Sequence, residues 1–474
     1  MRKKGIVVKM IPVFVNKWKM VDVNIDKRKD KKRARLSRRF CFIIVLLISI
    51  SGNLLYWAAY YPGGFNLDAY GQWMQINGDL PYNNWHPFFI TGIYWLLTRI
   101  VNSLAFCIFF QVLLFSVSFS VLIYKVEKWC LNKWWIILIA FAVAFNPAVE
   151  LNNVCLIKDV YFTIEMMWSW IILIDVYNSN GEVLDGKGKY SIVLISIVMI
   201  LTRHNAYFYV FPMLIMLGVV WKTKWKSVLL ITATVIISVA IIEGPIYLLI
   251  HVEPHDNPKG EVIGIPMAVM ANALTTDLDN TPEEVKEFLL DIADYEFWEE
   301  NYITGEWDSV KWDIDSSRIF HDKSLVDIFI MAIKTAGKCP RAAFESVLWN
   351  TRVVWQIVGK SEWSTEVYIE DNIYGIKDGG LEDLKLFFKT IISFSETLIG
   401  STLIWNLGGY ILIIVLSMLY YLRNNSKILV FDIPLLSYVF LTMLLLCGPS
   451  YRYFYMLPII TWPNLILHIK AEKR

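Results

Sequence analysis

The stretch between residues 61 and 87 carries several side chains that could do acid–base chemistry, directly after the first long apolar run: Asp68, Gln72, Asp79 and His86. A Pro-Gly-Gly turn precedes Asp68, and the apolar spacing after it predicts a short amphipathic helix along a membrane surface. Asp68 could take a proton from a hydroxyl as general base, or hold a divalent cation through its oxygens. The alternative is an ordinary solvated loop acid. His86 could orient the acid or bind a metal, or its His-Pro pair could simply start a helix.

Three cationic residues further along the chain could stabilise a developing anion: Lys158, Arg203 and Arg452. A phosphate leaving group gains negative charge as its bond breaks, and preorganised Arg or Lys donors stabilise that charge in a low-dielectric site. Each cation could instead extend to the lipid headgroups or pair with a neighbour, as Lys158 could with Asp159. We expect the polar residues beside Asp68 and these cations to bind the same substrate: Gln72, His204, Asn205 and Tyr453.

The composition is that of a membrane protein. Of 474 residues, 56% are hydrophobic and 19% are charged, and the apolar residues form long uninterrupted blocks. We therefore predict an all-α polytopic membrane protein. A net charge of +2 gives no reason to expect a nucleic-acid partner. The six cysteines show neither C-x-x-C nor Cys/His ligand spacing, which argues against a disulfide framework and a zinc site.

The Lys and Arg residues between the apolar blocks decide the predicted topology. Residues 27–39 hold nine Lys/Arg against one Asp, so we place the N-terminus in the cytoplasm. If the short block 87–101 crossed the membrane, three later basic loops would lie outside; if it is re-entrant or interfacial, they all lie inside. We therefore predict about ten transmembrane helices with both termini cytoplasmic: 40–61, 104–124, 134–149, 160–177, 190–202, 205–221, 228–250, 402–422, 429–447 and 453–469.

This topology divides the chain into four parts: a basic cytoplasmic segment (1–39), a transmembrane core with a first outer loop at 62–86 (40–250), a small helical extracytoplasmic domain (251–390) and C-terminal transmembrane helices (391–474). Within the third part, the residues 281–284 predict a helix start, and Pro340 separates two further helices. With this number of membrane crossings, all the candidate site residues lie on the outer face, which favours a single shared site.

Six segments, taken in order, resemble the GT-C class of integral-membrane glycosyltransferases: PGGFNLDAYGQW, WHPFF, NPAVELNNVCLIKD, LTRHNAYFYVFP, IGIPMAVMA and GPSYRYFYMLP. Within that class the chain is similar to the uncharacterised bacterial DUF6020 and glucosyltransferase-like proteins. The resemblance covers residues 40 to about 275 and the last 75 or so, while the extracytoplasmic domain is weakly matched. The order of the segments carries the resemblance, because no single motif is specific.

The resemblance implies an inverting enzyme of a bacterial cell membrane. It would transfer a sugar from a polyprenyl-phosphate donor, at the outer face, to a glycan, lipid or protein of the cell envelope. By this resemblance, Asp68 corresponds to the catalytic acid of the first loop. Lys158 and Asp159 correspond to a charged pair in the second outer loop, and Arg203 corresponds to the basic residue that faces the phosphate. We count Asp159 and His86 with Asp68 as catalytic.

One departure from the GT-C pattern affects the predicted cofactor. Many GT-C enzymes have a paired acid near the first loop, whereas this chain has Asn83 and Asn84 there. Whether Mg or Mn binds, with Asp68 and Asp159 as the ligands, therefore stays open.

Two other functions also stay open. A transporter or flippase of lipid-linked saccharides should have repeated halves and charges at the membrane midplane, whereas the polar residues here gather on one side. A polymerase or ligase of cell-wall glycans would use the same donors. The sequence identifies neither the sugar, nor the acceptor, nor the oligomeric state; the partners we expect are the lipid-linked sugar and the membrane lipids.

Overall fold

The computed structural model describes residues 27–127, 133–254, 258–422 and 426–471. Within these ranges the chain is all-helical, with isolated β-bridges but no strand, which confirms the predicted all-α class. Residues 1–26 of the predicted basic segment lie outside the described residues. The helices are α1 Lys27–Ala59, α2 Leu67–Asn77, α3 Phe88–Ile100, α4 Leu104–Glu127, α5 Lys133–Ala144, α6 Pro147–Asn153, α7 Lys158–Asn178, α8 Lys189–Thr202, α9 Tyr207–Val220, α10 Trp225–Ile241, α11 Tyr247–Leu249, α12 Pro258–Val262, α13 Gly264–Thr276, α14 Glu283–Ile292, α15 Tyr295–Asn301, α16 Ser316–Ile319, α17 Leu325–Lys338, α18 Pro340–Trp355, α19 Glu382–Ser395, α20 Leu398–Ile404, α21 Gly408–Leu422, α22 Leu429–Met443 and α23 Leu457–Ala471.

Several of these helices could span a membrane. Among the described residues, five are long and apolar enough: Arg39–Ala59, Leu104–Glu127, Lys158–Asn178, Lys222–Leu249 and Ser426–Met443. The number rises to seven if each of two bent pairs, α5 with α6 and α19 with α20, counts as one span. Four further apolar helices are shorter, namely α3, α8, α9 and α21. The finer count of ten spans stays a prediction.

Local sequence explains both bends. Between α5 and α6, where the axes turn by 59°, Pro147 takes the first helical position and Asn146 caps the new helix. Between α19 and α20, where the turn is 94°, Thr397 accepts a hydrogen bond from the Gly400 amide at 3.2 Å. Only glycine fits there, because a Cβ would stand 2.1 Å from the Phe394 carbonyl oxygen. In each pair the second helix therefore starts anew.

Most buried apolar side chains form one core between the long helices. α1 packs along α4 and α5, α4 along α7, and α9 along α22. Trp170, Tyr438 and Tyr455 are fully buried in this core. Between membrane helices such side chains stabilise the fold by close packing, because lipid is itself apolar and their burial removes little surface from water. This packing brings the ends of α1, α7, α8 and α22 close together, and the candidate site is built there.

The segment 258–355 has a smaller core of its own. Here α13 packs against α17 and α18, and the buried side chains include Met267, Trp298 and Trp307. The predicted helix start at 281–284 is confirmed by α14, and the two helices that Pro340 was expected to separate are α17 and α18. The location of this segment outside the membrane stays a prediction.

An irregular segment, residues 356–381, connects α18 to α19, and we name it the strap. It runs along the first outer loop: the Phe65 amide donates to the Tyr368 carbonyl, and the Glu370 amide donates to the Phe65 carbonyl, both at 2.8 Å. Near its end, the Gly379 amide donates to the Tyr61 carbonyl at 2.9 Å. The strap is therefore hydrogen-bonded on both sides of the turn that precedes α2.

Candidate functional site

A close backbone approach fixes the loop that leads to Asp68. The Gly64 amide donates to the Val154 carbonyl at 2.8 Å, and the Leu156 amide donates to the Gly64 carbonyl at 3.0 Å. A Cβ on Gly64 would stand 2.5 Å from Cys155 Sγ, so this approach requires glycine. The first outer loop is thereby attached to the segment just before α7, which carries the next charged residues.

Asp68 lies in the first turn of α2. Asn66 caps this helix by accepting a hydrogen bond from the Ala69 amide at 3.0 Å, and the helix dipole favours a negative charge at this end. Asp68 Oδ2 accepts a hydrogen bond from Arg452 Nη1 at 2.9 Å, and its Oδ1 lies 3.7 Å from His86 Nε2. Arg452 is 384 residues away along the chain, so tertiary folding creates this ion pair.

Lys158 determines the tautomer of His86. Its Nζ lies 3.2 Å from His86 Nδ1, and because an ammonium can only donate, Nδ1 accepts. The proton of the neutral imidazole then sits on Nε2, the nitrogen that faces Asp68. The 3.7 Å contact is too long for a direct hydrogen bond. His86 therefore points an N–H toward the carboxylate without neutralising its charge.

A second ion pair lies beside the first. Arg203 pairs with Asp159, and both side chains are buried. The Arg203 guanidinium lies 4.6 Å from the centre of the Tyr453 ring, and the Arg452 guanidinium lies 5.2 Å from the same ring. Both distances are within the range of cation–π contacts. Tyr453 therefore joins the two ion pairs, and Arg203 already has a counterion.

These residues form a closed series of contacts that we name the charged circuit: Asp68, Arg452, Tyr453, Arg203, Asp159, Lys158 and His86. It closes because Lys158 and Asp159 are neighbours in the chain. Arg203 and Arg452 each have a carboxylate partner. Lys158 has none within ion-pair distance among the described residues. Two carboxylates against three cations leave the circuit with an excess positive charge.

The surroundings keep Asp68 ionised and His86 neutral. Burial would raise the pKa of the Asp68 carboxyl, but Arg452, His86 and Lys158 together lower it below its ordinary value. Burial, followed by the charge of Lys158, lowers the pKa of His86 to about 3, against a smaller opposing effect of Asp68. Near neutral pH the site therefore presents an anionic carboxylate next to an uncharged imidazole.

The other three residues predicted to bind substrate lie at the edge of the circuit or away from it. Gln72 is buried and donates to Thr91 Oγ1 at 2.9 Å, so it joins α2 to α3. His204 Nε2 lies 3.1 Å from the Asn84 carbonyl oxygen, at the border of the site. Asn205 is half-buried in the short turn between α8 and α9. The structure thus gives Gln72 a packing role.

The two carboxylates expected as metal ligands do not converge. Asp68 faces Arg452, and Asp159 faces Arg203, so each already has a cationic partner. Among the described residues, no group of three or more His, Cys, Asp or Glu side chains could hold a metal ion. This donor set does not fit Mg or Mn, which require several oxygen ligands around one point. The function proposed below includes no step through a metal.

A cavity of about 200 Å³ opens beside the charged circuit. Its walls come from the first outer loop, the segment 152–157, the strap and the segment 449–452. Arg452 belongs to both the circuit and the cavity wall. A polar and partly aromatic cavity therefore adjoins the candidate base.

Sequence reasoning found the residues of the circuit but missed how they pair. It gave Asp68 and Arg452 separate roles and treated Arg203 as a free phosphate ligand, whereas each Arg has a carboxylate partner. It also missed the strap and the cavity behind it. The available signal was weak: residues 356–381 lack helical periodicity and contain four glycines.

The comparisons with known proteins give a family and no activity. Residues 83–321, slightly more than half of the chain, match a family of unknown function, DUF6020. No curated protein and no solved structure is significantly similar to this chain. The matched segment includes His86, Lys158, Asp159 and Arg203 of the circuit. The chain therefore belongs to the DUF6020 family.

Proposed function

We propose that this protein is a membrane glycosyltransferase of the GT-C class, acting at the outer face of the bacterial cell membrane. It transfers a sugar from a polyprenyl-phosphate donor to a glycan, lipid or protein acceptor of the cell envelope. The observation that carries the proposal is the charged circuit, in which an ionised carboxylate, a neutral imidazole and cations come from four distant parts of the chain. Such a site could accept a proton and stabilise a phosphate together.

The proposed reaction is a single displacement. The acceptor hydroxyl oxygen attacks the anomeric carbon from the face opposite the phosphate, and its proton passes to Asp68 as the new C–O bond forms. The bond between the anomeric carbon and the phosphate oxygen breaks, and the polyprenyl phosphate leaves with the electron pair. Lys158 and Arg452 stabilise the charge that develops on the leaving group. The configuration at the anomeric carbon inverts.

The residues have different parts in this reaction. Lys158 has no carboxylate partner among the described residues, which makes it the main candidate for the phosphate. Arg203 and Asp159 neutralise each other and hold Tyr453, so we assign them a positioning role. His86 keeps its Nε2 proton toward Asp68 and orients the carboxylate.

The proposal includes a topology of ten spans with both termini in the cytoplasm. α3 has 13 residues, about 20 Å, which is short against a hydrocarbon core of roughly 30 Å, and this supports a re-entrant or interfacial helix. α8 and α9 have 14 residues each and meet beside the buried Arg203, so we place the tip of this hairpin below the membrane surface.

The first experiment replaces the candidate base. Purified protein in detergent is offered polyprenyl-phosphate glucose, mannose and galactose with cell-envelope acceptors, and transfer is measured for Asp68→Asn. We expect its turnover to fall below about 1% of wild type, because general-base catalysis contributes about 10²–10⁴-fold. Asp79→Asn is the matched control, since this exposed acid of the same loop contacts Tyr374 of the strap and not the circuit. Near-normal transfer by Asp68→Asn would refute the proposed role.

A transporter of lipid-linked saccharides is the second candidate. Discontinuous helices are typical of transporters, and the described residues contain two bent pairs. One of them contains Glu150, whose fully buried carboxyl oxygens have no hydrogen-bond partner among the described residues. The test is movement of a lipid-linked sugar across proteoliposomes without an acceptor. Movement that survives Asp68→Asn but not Glu150→Gln would favour the transporter.

A further inference from the structure

The cavity beside the charged circuit is within reach of the candidate base. Arg452 lies in its wall and bonds Asp68, and Asn66, two residues before Asp68, lies in the same wall. The strap closes another side with Thr365 and Glu366. A molecule in this cavity would therefore touch both the strap and the residues that hold the base.

Two buried polar atoms in the cavity wall lack hydrogen-bond partners within the described part of the chain: Asn152 Oδ1 and the Tyr451 hydroxyl. The amide of Asn152 is oriented unambiguously, because its Nδ2 donates to the Ala148 carbonyl at 2.8 Å and to Thr365 Oγ1 at 3.0 Å. Oδ1 is therefore the free acceptor. Buried polar groups are normally satisfied, so these two atoms point to a ligand that carries hydroxyl groups.

The charges of the wall indicate what kind of ligand fits. The cavity wall contains one cation, Arg452, and one carboxylate, Glu366, so its lining carries no net charge. Glu366 adds a carboxylate, which accepts hydrogen bonds from neutral hydroxyls but repels a second carboxylate. Trp363 and Tyr368 provide aromatic surface for the C–H face of a ring. Hydroxyl acceptors together with aromatic surface suit an uncharged sugar.

We propose that this cavity binds one neutral pyranose ring, whose hydroxyls bond Asn152 Oδ1 and Glu366 while the ring packs on Tyr368. The assignment of this ring to the transfer reaction rests on the proposed function, but its binding does not. The same chemistry fits the sugar of the donor or the terminal sugar of the acceptor. Either one would lie next to the base that Arg452 holds.

The binding test uses methyl β-D-glucopyranoside, methyl α-D-mannopyranoside and methyl β-D-galactopyranoside, with methyl β-D-glucuronide as the charged comparison. Tryptophan fluorescence and thermal unfolding of the full-length protein in detergent are followed at increasing glycoside concentration. We expect saturable binding of at least one neutral glycoside, weakened roughly tenfold by Glu366→Gln and by Thr365→Val. Asp371→Asn, on the same strap but outside the cavity, should bind as the wild type does.

Two results would overturn the proposal: no neutral glycoside binds, or one binds equally well to wild type and to both cavity variants. Asp68→Asn separates this proposal from the proposed function, because glycoside binding should persist in it whether or not the protein transfers sugar. In the transfer assay, Glu366→Gln should raise the KM for the polyprenyl-phosphate sugar if the ring belongs to the donor. It should raise the KM for the acceptor if the ring belongs to the acceptor, and two unchanged KM values would contradict the assignment.

Discussion

The ion pair between Asp68 and Arg452 has opposite effects on the two halves of the proposed reaction. Arg452 helps to lower the pKa of Asp68, which keeps the carboxylate ionised but makes it a weak base. An anionic phosphate bound at Arg452 and Lys158 would neutralise part of their charge. The pKa of Asp68 would then rise, because the opposite charges that lower it are compensated. Donor binding would thus strengthen the base when the acceptor needs it.

This coupling predicts the pH dependence of an Arg452→Gln variant. Removing the guanidinium raises the pKa of Asp68, and a protonated Asp68 cannot accept the acceptor's proton. The acid limb of kcat/KM should therefore move to higher pH, in addition to a roughly tenfold or greater loss of rate from the lost charge-assisted contact. The measurement is the pH profile of transfer from pH 4 to 8 in detergent.

The control for this profile is Arg341→Gln. Arg341 is an exposed arginine that pairs with Glu345 one helical turn away and does not belong to the circuit. Its acid limb should coincide with that of the wild type. An Arg452→Gln profile with an unshifted acid limb would mean that Asp68 is not the group that limits the rate at low pH.

At the scale of residues, the sequence was informative about identity and uninformative about pairing. Asp68, His86, Lys158 and Arg452 could be singled out because ionisable groups next to apolar blocks are costly to bury. Their partners could not be derived, because Arg452 and Asp68 are 384 residues apart in the sequence and meet only in the folded protein. The hydrogen bond of Gln72 could not be derived for the same reason, because its partner, Thr91, is known only once α3 is placed; the substrate role of Gln72 stays a prediction.

At the scale of elements, the first outer loop depends on its contact with the segment before α7. Gly64 lies so close to Cys155 that an added methyl group would collide with its Sγ at 2.5 Å. Gly64→Ala should therefore displace the loop and the start of α2, and reduce transfer at least tenfold while the protein still inserts into the membrane. The measurement is turnover together with the amount of folded protein in detergent.

Two further variants make this test specific. Cys155→Ala removes the colliding sulfur, so the double variant Gly64→Ala/Cys155→Ala should recover part of the activity. Gly71→Ala, on α2, is the control: no heavy atom lies within 4 Å of its added Cβ, and alanine favours a helix more than glycine does. Equal activity of Gly64→Ala and Gly71→Ala would show that the close approach does not position Asp68.

Helix starts were the elements best predicted from sequence. The amphipathic helix after the Pro-Gly-Gly turn is α2, and the Pro340 boundary separates α17 from α18, because capping and proline effects act over a few residues. The α19–α20 pair was not foreseen, and the predicted domain boundary at 390 falls inside α19. Its bend depends on the close approach of Gly400 to the backbone of the last turn of α19, a local fit that hydrophobic periodicity does not reveal.

At the scale of the whole molecule, the number of crossings decides whether the circuit faces outward. Helix length and composition support five to seven spans among the described residues. This range does not determine on which side of the membrane each loop lies. The positive-inside rule assigns each loop to a side: with ten spans, the Lys clusters near 125–133 and 222–226 lie in the cytoplasm. Asp68 and His86 lie before α3 and Lys158 after it, so these contacting residues share one side of the membrane only if α3 does not cross it.

Reporter insertions test this assignment of sides directly. A tag within residues 128–132, or next to Lys224, should give a cytoplasmic signal, and a tag near Asp322, between α16 and α17, should give an external one. The physical reason is that moving a cluster of lysines across the membrane is disfavoured, whereas a re-entrant α3 requires no such transfer. A tag after Lys427, next to the start of α22, serves as the internal control, because it lies beyond the 251–390 segment and should again be cytoplasmic. The reverse pattern at all four positions would place Lys158, Arg203 and Arg452 in the cytoplasm, where the proposed transfer at the outer face could not take place.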